Sequence, residues 1–243
     1  MKKISIMGLL LLVSVVLSGC LYPEDQKAQN QVPYETQLQM VQTAVNQYKE
    51  SNGVLPIKNK EAETPVYEKY PIDFQKLVPR YMEEPPANSF EGGGIYQYVL
   101  INPETDPEVK LLNLENVEEV QKLQVRLDVY KRENGYPPYK DVLPGGVFTL
   151  DYKKLGMKKE PVVVSPYSKK NLPLVIDTEG KVLIDYRPDL YDMLKEKNHS
   201  FQEGDDIRSI LTENAPFVPV YSKPYTIKSG EPVFVEEKDS EKE

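Results

Sequence analysis

One histidine and one cysteine limit what this chain of 243 residues can do chemically. His199 is the only imidazole, so any Ser–His–Asp or Cys–His relay must run through it. It lies in Lys197-Asn-His-Ser-Phe-Gln-Glu-Gly204, a polar stretch with no nucleophile elbow, and reads as an exposed loop residue. One His and one Cys do not make a protein-held zinc site. Carboxylates are plentiful, and a glycosidase needs a pair of them flanking its bond, but no pair here is marked by its surroundings. Charges at this density read as a solvated face. Gly92-Gly93-Gly94 lacks the following Lys-Ser/Thr of a phosphate loop and leads into a strand, so it reads as the loop before a hairpin. Asp205-Asp206 has no calcium-loop spacing around it. The expectation is therefore a non-enzyme without catalytic residue, cofactor or metal. The remaining chemistry is that of contact. Ala215 to Tyr225 is dense in Pro and aromatics, and Phe217, Tyr221 and Tyr225 are the candidate binding residues. The competing reading, which is preferred, makes this stretch a strap that packs across the rest of the chain and completes its core.

The sole cysteine has its own context. Lys2 and Lys3 precede an apolar run from Ile4 to Leu17, and Leu17-Ser18-Gly19-Cys20 follows. Basic start, apolar middle and small residues form the sequence of a secretory signal. The apolar run is shorter than the roughly 20 residues that cross a bilayer as a helix. Leu-Ser-Gly-Cys resembles the lipobox of bacterial lipoprotein signal peptides. The resemblance implies cleavage before Cys20, diacylglycerol on its thiol, and a mature chain held on the outer face of the cytoplasmic membrane. Acyl chains at ~0.8 kcal/mol per buried CH₂ make a two-chain anchor effectively permanent.

Loss of residues 1–19 takes away Lys2 and Lys3 and moves the formal net charge from −8 to −10. Such a chain gains no attraction to an anionic bilayer, and it lacks the clustered Lys/Arg that nucleic acids require. With Cys20 acylated no thiol is left for a disulfide, so packing alone must hold the fold.

Two segments mirror each other at an offset of 82 residues. Val41 to Pro56 and Leu123 to Pro138 share Gln42/Gln124, Tyr48/Tyr130, Lys49/Lys131, Asn52/Asn134, Gly53/Gly135 and Pro56/Pro138. Both read as helices, with Leu38, Val41, Val45 and Tyr48 on one face of the first and Val120, Leu123, Leu127 and Tyr130 on one face of the second. Asn116 is expected to cap the second. In both, Asn-Gly stops the helix and Pro forbids its resumption. Asp73 and Asp151 each open a short helical turn. A strand pair follows in each unit: Ile95–Asn102 with Val109–Leu114, and Leu172–Ile176 with Lys181–Tyr186 around an Asp177-Thr-Glu-Gly180 turn. Pro188 to Lys195 reads as a helix, Asp206 to Leu211 as a helical turn, and Val233 to Val235 as an edge strand.

The expected fold is α+β: a spacer at residues 20–33, one helix-plus-hairpin unit at 34–115, a second at 116–187, a C-terminal helix and strap at 188–235, and a disordered charged tail at 236–243. Tyr-x-x-x-Asn-Gly-x-x-Pro with a terminal hairpin resembles the globular part of type II secretion pseudopilins. A lipobox stands where those proteins carry a polymerising helix, so pilus assembly is not implied. The whole chain resembles Bacillus-type lipoproteins of undefined activity. Together these imply a tethered, extracytoplasmic binding protein whose partners are the membrane, through Cys20, and an envelope protein or polymer. The alternative is the solute-binding lipoprotein of an ABC-type importer.

Overall fold

The computed structural model describes residues 34–236. The leader, Cys20, the spacer and residues 237–243 of the tail lie outside the described residues. Helices and antiparallel sheets both contribute, as an α+β chain requires.

The first unit opens with helix α1 (Tyr34–Asn52), which buries Val41, Ala44 and Val45, while Leu38 and Tyr48 flank them half-buried. Gly53 ends it in the left-handed region at φ 71°, as Asn-Gly predicts. Asp73 caps the four-residue helix α2 (Phe74–Leu77), its carboxylate accepting from the Gln75 amide. Strands β1 (Tyr96–Ile101) and β2 (Glu108–Asn113) pair antiparallel, from Tyr96↔Asn113 to Ile101↔Glu108.

This hairpin is buried on both faces. Tyr98, Leu100, Val109 and Leu111 share a core with Val41, Val45 and Leu77. Val99, Ile101 and Leu112 point the other way, into the core of the second unit. Period-two alternation thus lets one hairpin serve two cores.

Helix α3 (Leu114–Asn134) follows β2 without a loop. Asn113, not Asn116, is its cap, accepting from the Glu115 amide at 2.8 Å. Asn113 ends the strand in extended backbone and can fold its side chain over the first turn, whereas Asn116 already lies inside the helix and is buried. The helix therefore begins at Leu114, two residues before Asn116. Val120, Leu123 and Leu127 are buried as their spacing predicts. Five strands complete the unit: β3 (Tyr139–Leu143), β4 (Val147–Leu150), β5 (Val162–Val164), β6 (Asn171–Asp177) and β7 (Val182–Ile184). β6 pairs antiparallel with β4, β5 and β7, and β3 lies beyond β4. Asp177 makes the β6–β7 turn, its carboxylate accepting from the amides of Glu179 and Lys181.

Helix α4 (Arg187–Glu196) has Pro near its start, as expected. Helix α5 spans Ser209–Asn214, shifted from the expected Asp206–Leu211. Asp206 and Ile207 stay outside because the Asp206 carboxylate is spent on the Arg208 amide and guanidinium. β8 (Tyr225–Lys228) and β9 (Glu231–Phe234) form a closing hairpin, where sequence indicates one edge strand.

Candidate functional site: a cleft between the two units

The aromatic strap runs along the outer edges of both hairpins. Leu111 donates to the Pro216 carbonyl at 2.8 Å, Val218 donates back to Leu111 at 3.0 Å, and Ile184 donates to the Tyr221 carbonyl at 2.8 Å. The candidate binding residues are consumed by this packing. Phe217 is buried in the first core, among Tyr34, Tyr96 and Tyr167 with ring centroids at 5.8, 5.8 and 6.4 Å. Tyr225 is fully buried against Phe234 at 4.7 Å, and its hydroxyl accepts from the Tyr186 amide. Burial pushes the Tyr225 hydroxyl well above its usual range. Tyr221 is half-buried and its amide donates to Glu68 at 3.0 Å. Phe217 and Tyr225 are thus spent mainly on packing, beside edge strands that need covering. The other candidates are exposed or spent. His199 is exposed beside Phe201. Asp206 is bound to Arg208, and Asp205 accepts from the Gln202 amide. A Cβ on Gly94 would lie 2.2 Å from the Asn88 carbonyl, so backbone crossing, not phosphate, demands glycine there.

What the strap leaves open is a cleft of about 390 Å³ where the units meet. Its walls come from the ends of the first hairpin (Tyr96, Asn113), the first turns of α3 (Glu115, Asn116, Glu118, Glu119) and β5 with its following turn (Val162 to Pro166, Lys169). Phe217 lies at its base. Asn116 is 5 % exposed, and its Nδ2 donates to the Val164 carbonyl at 3.3 Å. Lys122 pairs with Glu118 at 2.8 Å and Glu119 at 2.9 Å, and among the described residues Glu115 forms no ion pair. The Tyr96 hydroxyl is pushed up by burial and then by the Glu115 charge, which places that carboxylate within the field of the ring. Lys169 Nζ stands over Phe217 at 5.7 Å and donates to the Pro166 carbonyl.

Residues 34–113 match the YphF family N-terminal domain. The YphF-type stretch runs from the first residue of α1 to Asn113, the cap of α3, so it coincides with the first unit. No curated protein and no solved structure matches the chain.

Other polar groups lie deeper. Asp189 is buried and accepts from Ser165 at 2.7 Å and Ser168 at 2.5 Å; burial pushes its carboxyl above the usual range against those bonds. Asp185–Arg187 and Asp206–Arg208 form the same two-pronged ion pair in front of α4 and α5. Both are legible as Asp-x-Arg before an apolar helix. Asn116 carried only the signal of a cap, and its role in the cleft depends on Val164, 48 residues away.

Proposed function

We propose that this chain is a membrane-tethered, extracytoplasmic binding protein without enzymatic activity, held on the membrane by lipid on Cys20. The observation that carries the reading is the placement of the only cysteine directly after Leu17-Ser18-Gly19 and the apolar run. Within the folded part, support comes from the cleft, which draws its walls from both units. Among the described residues no three His, Cys, Asp or Glu side chains gather to hold a metal, and no helix is long and apolar enough to cross a membrane. The sheets pair antiparallel, which favours this reading over a solute receptor of an importer built from βαβ lobes. Each unit is a helix stopped by Asn-Gly and packed on a hairpin, which supports the pseudopilin-like reading with a lipid anchor in place of the polymerising helix.

The test is metabolic labelling with an alkyne fatty acid followed by fractionation. Wild type should carry the label, sediment with membranes and be shaved by protease added outside protoplasts. Cys20→Ser should lose label and membrane association. Label on Cys20→Ser, or protection of the wild type from external protease, would reject the proposal.

A further inference from the structure

An acidic chain can still carry a basic face, and the fold builds one on the second unit. Two neighbouring hollows, of about 630 and 330 Å³, share Met157. Lys122 and Arg126 of α3 line the first, and Lys140, Lys153, Lys158 and Lys159 line the second. These six cations meet three carboxylates, Glu119, Asp151 and Glu160, in a chain whose formal net charge is −8. Lys122 is engaged by Glu118 and Glu119, and Lys140 stands 3.9 Å from Asp141. Among the described residues Arg126, Lys153, Lys158 and Lys159 form no ion pair, and all four are exposed. The cleft between the units, and a groove of about 800 Å³ beside Pro216, have the opposite sign, since carboxylates outnumber cations on their walls.

The backbone between these lysines is held in place. Tyr152 and Leu155 are buried, and the Tyr152 hydroxyl donates to the Leu174 carbonyl at 2.6 Å. The Asp151 carboxylate accepts from the Lys153 amide at 3.2 Å. The Met157 amide donates back to the Tyr152 carbonyl at 3.0 Å, around Gly156 at φ 72°. Folding does not ask for the charges on this loop. Counting from the shared Asp, the first unit has Gln75 where the second has Lys153. Counting back from the shared Glu-Pro, it has Met82 and Glu83 where the second has Lys158 and Lys159. The loop of the first unit carries no such run of lysines, so their presence in the second answers to something other than packing.

We propose that this face binds a linear polymer carrying phosphodiester groups, laid across the two hollows. Like charges gathered on one face repel one another, and a chain of phosphates relieves that repulsion along its length. A lysine ammonium is a compact point charge that takes a phosphate from any side, which suits a flexible strand. The planar fork that grips a single carboxylate is supplied here by Arg126 alone among the cations lining the hollows. Tyr152 is the aromatic ring among the lining residues and it is buried, so the face lacks the stacking platform of single-stranded nucleic-acid sites. Cations on the walls of hollows meet a strand that enters them, whereas a flat bilayer passes over.

The assignment rests on the chain being a binding protein, but not on where it resides. Full-length protein in neutral detergent is titrated with fluorescein-labelled poly(glycerol phosphate), and anisotropy is read at several salt concentrations. Six phosphate contacts at ~0.7 each give a log–log salt slope near −4. Lys153→Gln, Lys158→Gln and Lys159→Gln together should weaken binding by about tenfold or more and bring the slope to about −2, with circular dichroism confirming the fold. Lys49→Gln, Lys60→Gln and Lys197→Gln remove the same charge from exposed positions elsewhere and should weaken binding less than about threefold. An oligothymidylate with the same number of phosphates should bind at least about fivefold more weakly than the polymer. Phosphatidylglycerol added to the micelles at equal phosphate should leave the polymer bound. No binding of the polymer, equal losses in the two triple variants, equal affinity for the oligothymidylate, or displacement by phosphatidylglycerol would each overturn the assignment. Those failures leave the Cys20 labelling result standing, and a failure of labelling leaves the polymer titration standing.

Discussion

Gln42 and Gln124 make the same three bonds in their own units, and removing one of them gives a calculable loss. Gln124 Oε1 accepts from the Val182 amide at 2.8 Å, and its Nε2 donates to the Gly180 carbonyl at 3.0 Å and to Asp128 at 3.0 Å. Gln42 accepts from the Val109 amide at 2.7 Å and donates to the Pro107 carbonyl at 2.9 Å and to Asn46 at 3.1 Å. Each glutamine thus ties its helix to the first residues of its hairpin's return strand. Gln124→Ala strips two half-buried backbone groups of their partners. Two hydrogen bonds at about 1 kcal/mol each give a loss near 2 kcal/mol. That is roughly a thirtyfold shift in the folding equilibrium. For a chain of this size it lowers Tm by about 4–8 °C. Gln42→Ala should cost the same, and because the two sites share no partner the double variant should lose the sum, ~4 kcal/mol. Gln124→Glu keeps the acceptor and loses the donor, so it should fall between wild type and alanine. The assay is urea unfolding followed by far-UV circular dichroism, since the chain has no Trp. The hairpin shared by both cores further requires one cooperative transition in every variant. A loss below ~0.5 kcal/mol in either single variant, set against the expected bond energies, refutes the clamp. Two resolved transitions refute the shared-hairpin packing.

Phe217→Ala should cost ~3–5 kcal/mol, the range for a buried phenylalanine, and should expose the first core to a hydrophobic dye; a smaller loss than ~1.5 kcal/mol would mean that the ring is not the anchor its burial indicates. Asp189 has its carboxyl raised by burial, so its contribution is full below the unfolded value of about 3.9 and declines as pH rises through the folded value. Thermal melts between pH 4 and 7 should therefore show wild type ahead of Asp189→Asn by most at pH 4, with the gap narrowing toward pH 7; a gap that widens with pH reverses the sign and sinks the account. Gly94→Ala forces a Cβ against the Asn88 carbonyl and should destabilise by about 1–3 kcal/mol, measured by the same urea unfolding, with little change signalling that the loop relaxes freely.

Local chemistry made much of the fold legible. Val41 and Val45, Leu123 and Leu127, the two Asn-Gly stops, the Asp73 cap and the Asp177 turn all act through neighbours a few residues away, which is the range a periodicity or a cap can report. The elements that were illegible act at long range or break the pattern. β3 reads Tyr-Lys-Asp-Val-Leu, and its first four residues are exposed, so it has no buried face to announce itself. β5 spans three residues and gains its strand character only by pairing with Asn171 to Pro173. Asn113 and Asn116 are both plausible caps, and extended backbone at the end of β2 selects the first. The identity of Gln42 and Gln124 was visible, but their purpose was not, because their hairpin partners lie 65 to 67 and 56 to 58 residues ahead. The candidate cleft was hidden for the same reason, since it assembles Tyr96, Asn116, Val164 and Phe217 from four separate places in the chain.

The strap imposes an order of events on biogenesis. Leu111 finds its edge partners only in Pro216 and Val218, more than a hundred residues later in synthesis. A chain synthesised N-terminus first has the outer edges of both hairpins bare until residues 216–221 follow. During that interval the apolar edge strands are templates for pairing with other chains. Premature termination before Pro216 should therefore yield not a smaller working protein but a sticky one, removed by proteases or captured in aggregates. Residues 216–221 act as a proofreading seal on the two hairpins made before them.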